Sequence, residues 1–226
     1  MTDGPKTALF GSELAVARAL ALELTPVSRE TTALLDRFVE LLLPWTQKTN
    51  LIARSTIPTL WTRHIADSLQ LLALAPGAKC WVDLGSGAGF PGLVIGCALA
   101  GRAGAAVHLV ESNGKKATFL REAANQLELP AVVHAMRIED FVKNSGLRSD
   151  VVTARALAPL DHLLELALPL LNTGALGLFP KGQDVESELT KASKCWNIDA
   201  ELVPSKTSRE GRIVVIRSVH RRSSKL

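Results

Sequence analysis

The chain has no tyrosine, four tryptophans and six phenylalanines among 226 residues, so flat stacking platforms are scarce. Any recognition of nucleic acid must then lean on phosphate contacts and folded shape rather than on rows of stacked bases. Cysteine is also sparse. Cys80, Cys97 and Cys195 are odd in number, far apart and outside any C-x-x-C pair, which excludes a legible disulfide framework or zinc site and fits a reducing compartment. Long apolar runs are missing: the longest, Leu157 to Leu171, is interrupted by Asp161, His162 and Glu165 and falls short of a membrane span. The opening residues Met1 to Lys6 show no export signal. Repeats and low-complexity segments are absent as well. A soluble, cytoplasmic protein is expected.

What is present is a globular composition, 47% hydrophobic and 21% charged, enough for one large domain or a domain with a modest appendage. The net charge of +4 sits in the tail, because the last ten residues hold Arg217, Arg221, Arg222 and Lys225 and no acid. Such a tail suits a polyanionic partner, or is merely solvated.

The first 75 residues pattern as helices over Leu9–Leu24, Thr31–Trp45 and Leu60–Leu74, with apolar residues spaced by three and four. Pro26 ends the first, Ser28 caps the second, Pro44 bends or stops it, and Ser55 or Thr56 before Pro58 starts the third. From Lys79 the pattern becomes short β-rich runs alternating with helices, the signature of a parallel sheet covered on both faces. Strands are expected at Cys80–Leu84, Val107–Glu111, Ala131–Ala135, Asp150–Thr153 and Ala175–Phe179. Helices are expected near Leu93–Ala100, Lys115–Leu127, Leu160–Leu171 and Val185–Cys195, with an antiparallel pair, Asp199–Val203 and Arg212–Val219, at the end. Residues 1–75 thus read as a helical extension, and 76–226 as an α/β unit fused to it.

Between the first strand and its helix stands Asp83-Leu84-Gly85-Ser86-Gly87-Ala88-Gly89-Phe90-Pro91-Gly92. Glycines at a strand-to-helix turn let the backbone approach a ligand, and the helix N-terminus offers unpaired N–H groups. Twenty-two residues after Gly89, at the end of the second strand, Glu111 is placed to accept hydrogen bonds from ribose hydroxyls. A dinucleotide fingerprint, G-x-G-x-x-G, would require glycine where Phe90 stands. The spacing is G-x-G-x-G, and Asp83 just before it would repel a pyrophosphate but suits a cationic sulfonium and amino-acid portion. S-adenosylmethionine fits better than a nicotinamide cofactor, with Asp83, Gly85, Gly87 and Glu111 in its site. A bare tight turn is the plainer alternative.

Several segments together resemble the bacterial 16S ribosomal RNA guanine-N7 methyltransferases of the RsmG or GidB family. They are Trp45 to Leu51, Arg63 to Leu69, Asp83 to Gly92, Glu111 to Lys116 with Phe119-Leu120-Arg121, Arg137-Ile138-Glu139, Arg155 to Leu160 and Lys181-Gly182. The resemblance implies a class I S-adenosylmethionine-dependent methyltransferase, a Rossmann-like sheet with helices on both faces and a helical N-terminal extension. It further implies methyl transfer to N7 of a guanine, position 527, in the 530 loop of 16S ribosomal RNA, with the RNA or small subunit as partner. Family cofactor contacts fall on Gly85, Phe90, Glu111, Ile138, Glu139 and Arg155. A longer N-terminus and the arginine-rich tail depart from the family pattern.

The remaining candidates have plain readings beside the functional ones. Arg155, ending the fourth strand, could grip a cofactor carboxylate or a phosphate with two parallel hydrogen bonds, or form a buried ion pair with Asp83 or Glu139. His64, Asp67 and Ser68 share a helix face and read better as a lock between extension and sheet than as a substrate cluster. Lys115, Lys116, Arg137, Lys181, Arg221 and Arg222 are candidate RNA contacts, Lys181 by its place at the carboxyl edge. No catalytic base is expected, because guanine N7 already presents a lone pair; proximity and orientation suffice. No cysteine stands where a pyrimidine-directed nucleophile would be needed, and no metal site or oligomer is indicated, so a monomer is expected. A methyltransferase acting on a small molecule or protein, or a noncatalytic ribosome-binding protein, remains the alternative.

Overall fold

The computed structural model describes residues 5–222, with side chains from residue 12 onward. Among them the chain runs through α1 (Pro5–Leu24), α2 (Arg29–Thr49), a 3-10 turn (Arg54–Thr56) and a composite helical stretch, then enters the sheet. That stretch is a π-helical segment Trp61–Ala66, a short α3 (Asp67–Leu69) and a 3-10 segment Gln70–Leu74. The strands are β1 (Cys80–Leu84), β2 (Ala106–Val110), β3 (Ala131–His134), β4 (Val151–Thr153), β5 (Leu176–Lys181), β6 (Trp196–Pro204) and β7 (Arg212–Arg221). Between them lie α4 (Gly92–Leu99), α5 (Gly114–Gln126), α6 (Ile138–Asn144), α7 (Leu160–Leu171) and α8 (Val185–Ala192). Strand order is β3-β2-β1-β4-β5-β7-β6, with β7 alone reversed so that it pairs antiparallel with both β5 and β6, and the final antiparallel pair is present as expected.

Both faces of the sheet are buried, and successive residues divide between them. In β1, Trp81 packs on the α4 and α5 face while Val82 and Leu84 pack on the opposite one; in β7, Ile213 and Val215 oppose Val214 and Ile216. Period-two alternation of apolar residues on both sides is what covering a sheet by helices demands. The N-terminal helices join the first of these layers rather than forming a separate core. Leu35, Phe38 and Leu42 of α2 lie in one apolar cluster with Leu93 and Phe119, and Phe38 meets Phe90 edge-on at 5.4 Å between ring centroids. Trp45 Nε1 donates to Glu122 Oε1 at 3.2 Å, and Arg18 forms a two-pronged bond to Asp36 that fastens α1 to α2. A buried phenylalanine such as Phe38 is worth about 3–5 kcal/mol against alanine.

Three details depart from the sequence reading. Ser28 caps α2 as expected, its Oγ accepting from Thr31 N–H, but Pro44 does not stop the helix, which continues to Thr49 and closes on Asn50 at φ 49°. The third helix is not regular. Its π segment buries Trp61, His64, Ile65 and Ala66 together, and the Asp67 N–H turns to the His64 and Ile65 carbonyls instead of that of Arg63. Helix α6 was not expected at all: it is short and buries only Phe141, so it carries no periodic signal. All three cysteines are free, and burial pushes the Cys97 thiol up to about 12.

Candidate cofactor pocket and substrate cleft

The turn after β1 is shaped by its glycines. Gly85, Gly87 and Gly89 have φ of 70°, 56° and 90°, in the left-handed region that side chains resist. A Cβ on Gly85 would also come within 2.7 Å of Leu157 Cδ1. Gly85 and Ser86 donate their N–H groups to the Val110 carbonyl, which hangs the turn on the end of β2. Glu111, 8% exposed, then accepts from Gly87 N–H through Oε2 at 2.9 Å and from Asn113 N–H through Oε1 at 2.7 Å. An ionised carboxylate has capacity for about four such bonds, so two remain for a ligand.

This turn lines a pocket of about 330 Å³, within the usual range for small ligands. Gly85, Gly87, Glu111, Ile138, Glu139 and Arg155 all face it, so six of the expected cofactor residues are brought together. Lys116 and Arg137, expected at RNA, line the same pocket, whereas Lys115 is exposed at the start of α5. Asp83 and Phe90 are not on the wall. Asp83 is 1% exposed and turned beneath α4, accepting from Gly92 N–H at 3.1 Å and from Thr153 Oγ1 at 3.0 Å. Burial raises its pKa to about 6. It therefore ties loop, helix and β4 together. Phe90, 4% exposed, stacks on His64 at 4.9 Å and carries the Arg155 guanidinium over its ring at 5.3 Å.

Beside this pocket opens a larger cleft of about 730 Å³ between the π segment, the β4–α7 loop and the β6–β7 loop. Arg155, Ala156, Leu157 and Ala158 line both cavities. Arg155 is thus on the shared wall. Its Nη1 donates to the Arg63 carbonyl at 3.3 Å and lies 3.7 Å from Asp67 Oδ2, so its ion partner is Asp67 rather than Asp83 or Glu139. Burial lowers the Arg155 pKa, with the Asp67 and Asp83 carboxylates acting against that shift.

Lys181 also lines the cleft, but its ammonium is held inward, donating to Glu188 Oε2 and the Ala158 carbonyl, both at 2.7 Å. With its side chain 11% exposed, it fastens the loop that carries Arg155 and offers little to a phosphate. Arg221 and Arg222 are elsewhere. Because Arg212 pairs with Lys181 at the carboxyl edge and β7 runs antiparallel to β5, Arg221 ends about 30 Å away at nine residues of strand rise. There Arg221 bonds Glu165 and Arg222 the Ser193 carbonyl; Lys225 lies outside the described residues. The cleft residues that the sequence reading missed are Arg212, Thr207 and Arg63 as a cation; Arg63 stood in a quoted segment, but nothing in its spacing marked it.

His64 is a buried lock, as the helix-face reading favoured. Its Nε2 meets Thr56 Oγ1 at 3.3 Å, its Nδ1 has no partner, and Ser68 Oγ bonds back to its carbonyl. Burial, then the Arg155 and Arg63 charges, lower its pKa from 6.5 to about 3. A native pKa below the unfolded one means that the unfolded chain binds the proton first. Stability from this residue is full above pH 6.5 and falls as pH drops toward 3, by at most about 1.4 kcal/mol per unit. Asp83, raised from 3.8 to about 6, works in the opposite direction over pH 6 to 4. Urea unfolding of wild type and His64→Phe at several pH values should show the variant losing less stability between pH 6.5 and 4.5. Identical slopes would mean that His64 titrates normally.

A seven-stranded sheet in this order, with a reversed β7, a glycine turn after β1 and an acid after β2, defines a class I methyltransferase fold. An O-methyltransferase from Bacillus cereus, solved with SAH, shares that fold at a TM-score of 0.57 and 13% identity, covering 92% of this chain and 100% of that one. The family model for GidB, rRNA small subunit methyltransferase G, matches residues 31–214. Ribosomal RNA small subunit methyltransferase G of Nitrobacter winogradskyi is 60% identical over 92% of this chain and 75% of its own. Its counterpart from Bradyrhizobium sp. strain ORS 278 is 58% identical over 94% and 96%. The chain belongs to this family of small-subunit ribosomal RNA methyltransferases.

Proposed function

We propose that the chain transfers a methyl group from S-adenosylmethionine to N7 of guanine 527 in the 530 loop of 16S ribosomal RNA, acting as a cytoplasmic monomer. The observation that carries this reading is the pair of cavities sharing the Arg155–Ala158 wall: a small pocket with a carboxylate suited to ribose, opening beside a cleft large enough for a nucleotide. When bound, S-adenosylmethionine supplies a methyl activated by a positive sulfur. Gly85 and Gly87 let the backbone approach it, Glu111 receives the ribose hydroxyls, and Ile138 with Glu139 closes the side toward α6. Arg155 reaches the amino-acid carboxylate. The acceptor N7 needs no proton removed, and the interior acids and histidine fit that: Asp83 and His64 are turned into the core. The protein's task is to hold donor and acceptor together with water kept out.

Charge supports RNA at the cleft. Lys181 is matched by Glu188 and Arg155 by Asp67, which leaves Arg63 and Arg212 without an ion pair among the described residues, near hydroxyls of Thr59, Thr62 and Ser208, with Arg212 Nη1 donating to the Arg209 and Gly211 carbonyls. Each phosphate contact adds about 0.7–0.9 to the slope of log affinity against log salt. Replacing Arg63 or Arg212 by Ser should lower that slope by roughly 1. Replacing Arg221 and Arg222 together should leave it unchanged, because both face the other end of the sheet. Filter binding at several salt concentrations decides; a slope that falls only in the Arg221 and Arg222 variant would move the RNA to that edge.

The reaction itself is tested by incubating small subunits or 16S RNA with the protein and labelled S-adenosylmethionine, then mapping the label by mass. One N7-methylguanosine in the 530 loop is expected. Label absent from the RNA, or calorimetry showing NAD binding without S-adenosylmethionine binding, would overturn the reading.

A further inference from the structure

Asp67 lines the larger cleft and faces Arg155, a residue of the wall that both cavities share. Its two oxygens face different partners. Oδ1 accepts from Thr207 Oγ1 at 2.9 Å and from Gln70 Nε2 at 2.8 Å, while Gln70 Oε1 in turn accepts the Lys206 N–H at 2.8 Å. Those bonds fasten the β6–β7 loop, the far wall of the cleft, to the helical extension. Oδ2 faces the Arg155 guanidinium, which is further bounded by the Arg63 carbonyl and the Phe90 ring. The side chains of Asp67 and Arg155 are only 17% and 19% exposed, so water screens the pair poorly.

We propose that Asp67 is a positioning residue that aims Arg155 at the cofactor pocket through Oδ2 while its Oδ1 holds the β6–β7 loop over the RNA cleft. The inference rests on the assignment of the two cavities to cofactor and RNA made above. One carboxylate thereby ties the shape of the cleft to the grip on the cofactor. An arginine without its carboxylate swings among the several acceptors in reach, and a bidentate grip requires a fixed fork.

Asp67→Asn keeps an acceptor for Thr207 and Gln70 and removes the charge that faces Arg155. In the full chain it should weaken S-adenosylmethionine binding three- to tenfold by calorimetry. In an Arg155→Ala background, itself weakened, the same change should cost less than twofold, because a residue acting through Arg155 has nothing left to aim. Thr207→Val removes the bond to Asp67 Oδ1 together with the Ser205 contact inside the same loop, leaves Oδ2 facing Arg155, and should raise KM for RNA several-fold while shifting cofactor affinity less than Asp67→Asn does. Equal losses from Asp67→Asn in both backgrounds would make Asp67 a purely structural residue and overturn the proposal, as would no loss in either. If Thr207→Val weakened the cofactor as much as Asp67→Asn, the division between the two oxygens would be wrong. A wild-type chain that bound no S-adenosylmethionine would instead refute the cavity assignment, and the inference with it.

Discussion

Gly92→Ala is expected to lower the thermal midpoint by on the order of 10 °C, although the added group is one methyl. A Cβ at that position would lie 2.2 Å from Leu109 Cδ2 and 2.7 Å from Asp83 Oδ2. Neither neighbour can give way. Leu109 is fully buried in β2, and the Asp83 carboxylate is held by Thr153 Oγ1 and by the Gly92 N–H itself. Overpacking of this kind costs about 1–3 kcal/mol or more, and displacing a buried carboxylate from its donors adds a comparable amount. In a chain of this size each kcal/mol moves the midpoint by about 2–4 °C. Gly96→Ala is the matching control in the same helix. Its Cβ would meet Leu129 at an ordinary 3.4 Å, so the gain in helix propensity should leave the midpoint equal or higher. Scanning calorimetry of the two variants measures the contrast; equal midpoints would mean that α4 does not rest on β1 as closely as these distances require.

The contrast shows what a sequence carries and what it does not. Gly85, Gly87, Gly89 and Gly92 look alike as letters, and the first three share one reason, a positive φ at the turn. Gly92 has another, the approach of a helix to a strand that only the packed structure defines. The same division runs through the site. Glu111, Gly85 and Gly87 were legible because the turn and the acid belong to one local β-α-β unit whose chain path fixes them. Asp83 reads as a ligand group beside a glycine loop, and its burial off the pocket wall was not legible because the Thr153 and Gly92 donors that hold it become neighbours only on folding. Lys181 reads as an RNA contact by its place at the carboxyl edge and the tail arginines by their charge, but Glu188, Glu165 and the Ser193 carbonyl decide where those cations point. Asp67 reads as part of a lock, and it does bond the β6–β7 loop; that it also faces Arg155 depends on segments far apart in sequence coming together on folding.

Glu111→Ala should weaken binding of S-adenosylmethionine by at least a hundredfold, the largest functional effect expected of any single change in the pocket. The carboxylate stands at the end of β2 with its two oxygens already spanning Gly87 N–H and Asn113 N–H. Its removal therefore acts twice. The glycine turn loses the acceptor that fixes its conformation, and the ribose hydroxyls lose a charged partner. Two charge-assisted hydrogen bonds at about 1.5–3 kcal/mol each correspond to roughly two to four orders of magnitude in affinity. Stability should fall far less, because Gly87 lines the open pocket and Asn113 is exposed, so water can take over their N–H groups. Glu111→Asp tests the geometry apart from the charge: shorter by one methylene, it cannot reach both N–H groups at once and should fall between wild type and alanine. Calorimetric titration of the three proteins, with unfolding curves to confirm that each is folded, decides the matter. Affinity of Glu111→Ala within threefold of wild type would mean that the cofactor's ribose lies away from the end of β2.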